Sequence, residues 1–338
     1  MRYRLLGQTG LRVSEVFLGA MIFGEEAGGT VATEECRRIL DVYADAGGNV
    51  VDTAVNYGGG RSEAVLGELL EGRRDRFVLA SKYSVSRDPD DPNAAGNHRK
   101  NLTRSLETSL RRLRTDHIDL YWVHMWDRHT PLEETMRALD DVVRAGKVLY
   151  VGISDAPAWV VARANTLAEW RGWTPFAGLQ VPYNLLTRDI ERELLPMAEA
   201  LGMTVAAWAP LAHGLLAGTL TRPGGPPSGT RIDATGVDAR GLAVARAVQD
   251  VADDLGATPA QVALAWTMSR SRAIHPLLGA STAAQLAESL KAVDVTLPGD
   301  AAARLEAATD FVVGFPGDFI AEASRWVFGR AHHRLDGR

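Results

Sequence analysis

Four residues whose types suit proton handling fall where short apolar runs end. Asp52 follows Val50-Val51, Lys82 follows Leu79-Ala80-Ser81, and His124 follows Trp122-Val123, while Tyr57 lies shortly after Asp52. One reaction would use all of them. Hydride addition to a carbonyl leaves an alkoxide, which needs a proton donor and charge stabilisation. A free phenol, with a pKa of about 10, is a reluctant donor near neutrality, and a neighbouring ammonium favours its ionised form. Lys82 would supply that ammonium to Tyr57, and Asp52 would pair with Lys82 and hold it. His124 would hydrogen-bond the substrate oxygen. Singly, each residue has an ordinary structural reading: Asp52 caps a helix, Lys82 is a solvated charge, His124 is a core histidine and Tyr57 packs a loop. Their recurrence on consecutive strand ends is what those readings leave unexplained.

The elements that must position them are legible as an alternation. Strands are expected at Val16–Leu18, Val50–Asp52, Phe77–Ser81, Ile118–His124, Tyr150–Ile153, Gly178–Gln180, Thr204–Trp208 and Ile274–Leu278. Apolar spacing of three and four predicts helices over Thr33–Ala46, Ser62–Glu71, His98–Leu113, Leu132–Ala145, Pro157–Glu169, Asp189–Leu201, Ala239–Ser271 and Ala283–Val293. Thr33, followed by Glu34 and Glu35, suits an N-cap with an acidic first turn. Pro131 and Pro157 suit helix starts, and Gly47, Gly146 and Gly202 suit helix stops.

Eight such units within one chain of 338 residues predict a (β/α)8 TIM barrel, a single domain over 1–338. A doubly wound sheet would show an early glycine-rich phosphate loop. Gly58-Gly59-Gly60 runs instead into Arg61-Ser62-Glu63, without the final glycine of that motif. Tyr3–Leu6 and Leu11–Ser14 read as an N-terminal β-hairpin plugging the barrel bottom. The Gly/Pro-rich stretch Arg222–Gly236 reads as a long loop after strand 7, over the active face.

Bulk properties narrow the function classes. Hydrophobic residues at 46% and charged residues at 23% are ordinary globular values. A net charge of −5 gives no nucleic-acid signal. No apolar run reaches membrane-spanning length, and the first residues lack a secretory core. Cys36 is the single cysteine, so no internal disulfide forms, and the expected location is cytoplasmic.

At this point the sequence resembles the aldo-keto reductase superfamily. Asp52-Thr53-Ala54-x-x-Tyr57-Gly58 with Ser62-Glu63 and Leu66-Gly67 is similar to its first signature. Leu106-x-x-Ser109-Leu110-x-x-Leu113-x-x-Asp116-x-Ile118-Asp119-Leu120 is similar to its second. Trp208-Ala209-Pro210-Leu211, Gly214-Leu215-Leu216 and Leu278-Gly279-Ala280-Ser281 look closest to bacterial members related to the potassium-channel β-subunit group.

The resemblance implies a catalytic tetrad of Asp52, Tyr57, Lys82 and His124 and an NADP(H) cofactor. Trp208 would stack on the nicotinamide, Ser154 and Gln180 would meet its carboxamide, and Asp52 and Asp155 would also border the cofactor. Ala20 and Met21 would lie beside it. Ala209, Pro210, Leu211, Ala212 and Gly214 would follow the pyrophosphate. Gly279, Ser281, Gln285, Glu288 and Ser289 would hold the adenosine end, with Arg231 over the 2′-phosphate. Phe23, Tyr83 and Trp126, with Tyr57 and His124, would line the pocket of a small-molecule carbonyl substrate.

Four positions depart from the family pattern. Asp155 replaces the usual asparagine or arginine, Ala209 a serine, Thr219 a lysine and Ser289 an asparagine. The C-terminal Phe311–Phe319 stretch could cover the mouth, coat the surface or meet another subunit, and the oligomeric state stays open.

Two rivals use other features. A regulatory or redox-sensing barrel would bind NADP(H) with little turnover, and the intact tetrad argues against it. A glycosidase needs two facing carboxyls, where this chain offers lysine and histidine. Gly152-Ile153-Ser154-Asp155-Ala156 lacks the closing glycine of a nucleophile elbow. No histidine spacing suggests a metal site.

Overall fold

The computed structural model describes residues 1–24, 31–221 and 237–334. An antiparallel hairpin of β1 (Tyr3–Leu5) and β2 (Arg12–Ser14) precedes a closed barrel. Its strands are β3 (Phe17–Gly19), β4 (Val50–Asp52), β5 (Val78–Tyr83), β6 (Ile118–Val123), β7 (Val148–Ser154), β8 (Phe176–Pro182), β9 (Thr204–Trp208) and β10 (Ile274–Leu278). All pair in parallel in chain order, and β10 closes onto β3. The (β/α)8 barrel expected from the alternation is the observed fold.

Around it stand α1 (Thr33–Asp45), α2 (Arg61–Leu69), α3 (Arg99–Leu113), α4 (Leu132–Arg144), α5 (Ala158–Arg171) and α6 (Leu194–Ala200). After β9 come α7 (Ala239–Leu255) and α8 (Pro259–Ser269), and after β10 come α9 (Ala283–Leu290), α10 (Gly299–Ala308) and α11 (Gly317–Phe328). The long helical region expected from Ala239 to Ser271 is made of two helices. Gly256, at φ +63°, ends the first. Thr258 and Gln261 form a reciprocal capping box that starts the second, with Pro259 at its first position. Thr33 is not a cap: it opens α1, whose N-cap is Ala32 without a side-chain bond. Gly47, Gly146 and Gly202 do take positive φ after their helices, as expected. The stretch 222–236, with Arg222 and Arg231, lies outside the described residues.

Two apolar layers fix the geometry. The larger lies between the barrel wall and the helices. The smaller fills the barrel interior with Phe17, Val50, Val78, Ala80, Leu120, Trp122, Ala177 and Ala206, closed from below by Leu6 and Val13 of the hairpin. Those two hairpin side chains are fully buried, and Gly7 donates its N–H to Thr204 Oγ1 at 2.8 Å. The hairpin thus seals the end of the barrel opposite the site. Trp122 is the bulkiest interior ring. Glycines on β7 and β8 make its space: a Cβ at Gly152 or Gly178 would sit 2.4 or 2.8 Å from the indole.

Candidate active site

Strand alternation carries three of the chemical residues to the mouth. Side chains two apart on a strand share a face. Val50 then Asp52 on β4, Val78 then Ala80 then Lys82 on β5, and Leu120 then Trp122 followed by His124 at the end of β6 therefore all point inward. The parallel register sets Asp52 beside Ala80 and Lys82 beside Trp122. Trp122 is fully buried among them, with His124 two residues further along its strand and Asp52 and Lys82 on β4 and β5 beside it.

Lys82 is the centre of the cluster and is fully buried. Its Nζ is ion-paired to Asp52 Oδ2, donates to the Thr53 carbonyl at 2.9 Å, and lies 3.2 Å from Tyr57 Oη. Burial opposes its charge, but Asp52 and Tyr57 outweigh that and hold the ammonium above its ordinary range. Lys82 is thus a fixed cation. Gln180 Nε2 donates to the other oxygen of Asp52 at 3.1 Å, so the buried carboxylate has partners on both sides. Tyr57 comes from a 3-10 turn, Tyr57–Gly60. Its ring meets that of His124 edge-on, with centroids 5.5 Å apart. The structure brings all four predicted residues together.

His124 is neutral over the working pH range. Burial, reinforced by the Lys82 cation, drives its pKa down to about 3. Among the described residues its Nδ1 is buried without a hydrogen-bond partner. A neutral imidazole beside a phenol can hydrogen-bond an oxygen placed between them.

The strand ends beyond this cluster are polar in a second arc. Ser154 is buried at the end of β7 and pairs with Gln180 in the parallel register. Asp155 follows at φ +47° and accepts the indole N–H of Trp208 at 3.2 Å. Burial raises its carboxyl pKa, against the indole and Ser154 bonds. Ala209, Ala212, His213 and Gly214 all take positive φ, so the chain after β9 turns sharply through Pro210 and Leu211. Thr219 Oγ1 ties that turn at Gly214 O, 3.0 Å away, and so has a structural duty where a lysine is usual.

The remaining arc is at β3 and β10. Ala20 is buried and its N–H bonds Asp52 O at 2.8 Å, while Met21 is exposed. Gly279 and Ser281 are exposed after β10. Ser281 N donates to Gln285 Oε1, and Thr282 caps α9. Glu288 accepts from Gln261 and pairs with Lys291, and Ser289 is buried.

These residues fit a nicotinamide dinucleotide. A broad ring face at Trp208, amide and hydroxyl groups at Ser154 and Gln180, and a capped helix start at Ser281 and Thr282 lie on successive strand ends of one face. Among the described residues, no group of three or more His, Cys, Asp or Glu side chains could hold a metal.

The pocket wall needs a correction. Tyr83 does not line the mouth: one residue beyond inward-facing Lys82, it points outward. There it is fully buried, stacked on Tyr121 at 5.4 Å, with its hydroxyl on Asn97 O. Phe23 is also buried, in the outer core. Trp126 is partly open and meets Trp159 edge-on at 5.7 Å. Trp159, 59% exposed in the first turn of α5, was missed in the sequence.

Comparison with known proteins agrees with this geometry. The model of the Aldo/keto reductase family matches residues 15–310. The chain is 40% identical to norsolorinic acid reductase stcV of Emericella nidulans, over 93% of this chain and 83% of that protein. It is 35% identical to an aryl-alcohol dehydrogenase [NADP(+)] of Phanerodontia chrysosporium, over 93% and 88%. A putative aryl-alcohol dehydrogenase of Saccharomyces cerevisiae is 33% identical over 95% and 90%. The chain belongs to the aldo/keto reductase family and is an oxidoreductase of carbonyl groups.

Proposed function

We propose that this chain reduces an aldehyde or ketone on an aromatic framework to the alcohol, with NADPH as reductant and Tyr57 as proton donor. The carrying observation is the Tyr57 hydroxyl held 3.2 Å from the Lys82 ammonium, with the His124 ring against its edge. When bound, the nicotinamide supplies the hydride.

The chain's own residues do the rest. His124, neutral, offers a hydrogen bond that orients the carbonyl oxygen toward Tyr57 Oη. Tyr57 gives its proton to that oxygen as charge develops there, and Lys82 stabilises the phenolate left behind. Asp52 keeps Lys82 charged and in place, and proton return from solvent resets Tyr57. Trp208, its indole fixed by Asp155, backs the nicotinamide; Ser154 and Gln180 meet the carboxamide. Ser281 and Gln285 hold the adenosine end, and Arg231 reads the 2′-phosphate. The Phanerodontia relative, an aryl-alcohol dehydrogenase [NADP(+)], supports NADPH and, with the Trp126–Trp159 pair, an aromatic carbonyl. Kinship with the potassium-channel β-subunit group rests on the motifs after β9 and β10 alone.

The test is a panel of aryl aldehydes, aryl ketones and keto sugars, followed by cofactor absorbance with NADPH and NADH in parallel. The expected result is turnover of the aryl compounds with NADPH preferred. Turnover confined to keto sugars would remove the aromatic assignment. Tight NADPH binding without turnover of any carbonyl would favour the redox-sensing alternative.

A further inference from the structure

We infer that Arg112 on α3 is a positioning residue for Tyr57: one guanidinium bridges the backbone on both sides of the proton donor, anchored through buried Glu63 to the strand that carries Lys82. The inference rests on the proton-donor reading of Tyr57.

The need for such a clamp is written into the loop. Gly58, Gly59 and Gly60 follow Tyr57, all at positive φ, of 55°, 63° and 98°. Three glycines in succession give this stretch more backbone freedom than any other residue type would. A proton donor, however, must be held to within a fraction of an ångström of its working position. Backbone bonds tie the amides: Val55 N reaches across to Lys82 O, while Tyr57 N meets Ala54 O and Gly59 N meets Asn56 O within the turn. The Val55 and Gly59 carbonyls are tied by Arg112.

Arg112 Nη1 donates to Val55 O at 2.8 Å, and Nη2 donates to Gly59 O at 3.3 Å. These acceptors lie two residues before and two after Tyr57. The planar, rigid fork of arginine suits this double contact, which a single ammonium could not reproduce. Room for it exists because residue 60 is glycine: a Cβ there would lie 2.1 Å from the guanidinium carbon.

The clamp is itself fixed from behind. Glu63 Oε2 lies 3.3 Å from Arg112 Nη1, and the Glu63 side chain is fully buried. Its other oxygen accepts from Ser81 Oγ at 2.7 Å. Ser81 immediately precedes Lys82 on β5. One chain of polar contacts therefore references both the loop of the phenol and the strand of the ammonium, and so sets the separation between them. Arg112 touches no reacting atom; its effect runs through Tyr57.

The experiment compares wild type, Tyr57→Phe, Arg112→Ala, Arg112→Lys and, as control for charge on the same helix, Arg111→Ala. It follows NADPH-driven reduction of 4-nitrobenzaldehyde and NADPH affinity by fluorescence titration. Arg112→Ala should lower kcat by about tenfold to a hundredfold while NADPH affinity stays near wild type. Arg112 is about one-third open to solvent, its side chain being 32% exposed, so added guanidinium ion should restore part of the rate. Arg112→Lys should fall between, and Arg111→Ala should match wild type. A wild-type kcat in Arg112→Ala, alongside an inactive Tyr57→Phe, overturns the inference. So does an equal loss of kcat and NADPH affinity without guanidinium rescue. An active Tyr57→Phe would instead defeat the proton-donor reading. Hydrogen exchange needs no turnover: residues 55–61 should exchange faster in Arg112→Ala than in wild type, more than other loops. Unchanged protection there also overturns the clamp.

Discussion

The ammonium of Lys82 is buried in the barrel with Asp52 as its counter-ion, and removing one member of such a pair strands the other. Lys82→Met should therefore destabilise the fold by about 3–5 kcal/mol, with a Met that fits the same stem. Adding Asp52→Asn should recover most of that loss, because the stranded charge is gone. Activity should recover in neither variant. Denaturant midpoints and turnover, measured together, check this: activity regained with stability would mean that Lys82 only supports the fold. At this scale the sequence was informative about residues whose neighbours alternate. Asp52, Lys82 and His124 each end an apolar run, and period-two alternation sends them inward. The same rule puts Tyr83 outside, one step past Lys82, where it stacks on Tyr121; reading it as pocket wall ignored the parity. Trp159 and Arg112 were not legible, because their roles depend on which helix end or helix face meets the mouth. No local pattern encodes that.

Among the elements, the N-terminal hairpin has the most specific duty. Leu6 and Val13 enter the barrel interior from below and complete the layer on which Trp122 rests. Leu6→Ala should cost about 2–5 kcal/mol, as burial and packing are both lost. Its kcat at low temperature should stay near wild type, since the site lies at the opposite end. Thermal unfolding and kinetics check this, and a kcat loss matching the stability loss would show that the plug reaches the chemistry. The hairpin was legible because Gln8-Thr9-Gly10 separates two short apolar segments. The division of the long helical region into α7 and α8 was not read, although Gly256 and the Thr258-Pro259 start were present. Apolar spacing continued across them and masked the break. The amphipathic α10 and α11 lay beyond the eighth unit, where barrel counting no longer prompts a search.

At the scale of the whole molecule, a buried and a half-buried histidine make stability depend on acid. His275 on β10 reaches Ser14 O at 2.9 Å beside Phe17 and is almost wholly buried. Burial first, with Arg4 nearby, drives its pKa down from 6.5 to about 4. The unfolded chain takes up this proton as pH falls below 6.5, and the folded chain resists until about 4. This contribution is complete above the unfolded value and lost through that window; at pH 4 the loss is about 3 kcal/mol. His124 acts in the same direction, with its lower limit near 3. Urea unfolding at neutral pH and near the lower limit should show a shallower pH slope for His275→Gln than for wild type. Identical slopes would remove His275 from the account.

Closure of the barrel, the order of its strands and the meeting of four distant residues were all consequences of eight repeated units, which is why the sequence disclosed them. The account stands on what those four residues do together. Its most direct test is turnover of an aryl aldehyde by Tyr57→Phe beside wild type, with NADPH binding measured on both. The phenylalanine ring keeps the shape of the site and removes only the hydroxyl. The predicted result is a kcat lower by about a hundredfold to ten-thousandfold with NADPH still bound. Turnover at the wild-type rate by Tyr57→Phe would contradict it.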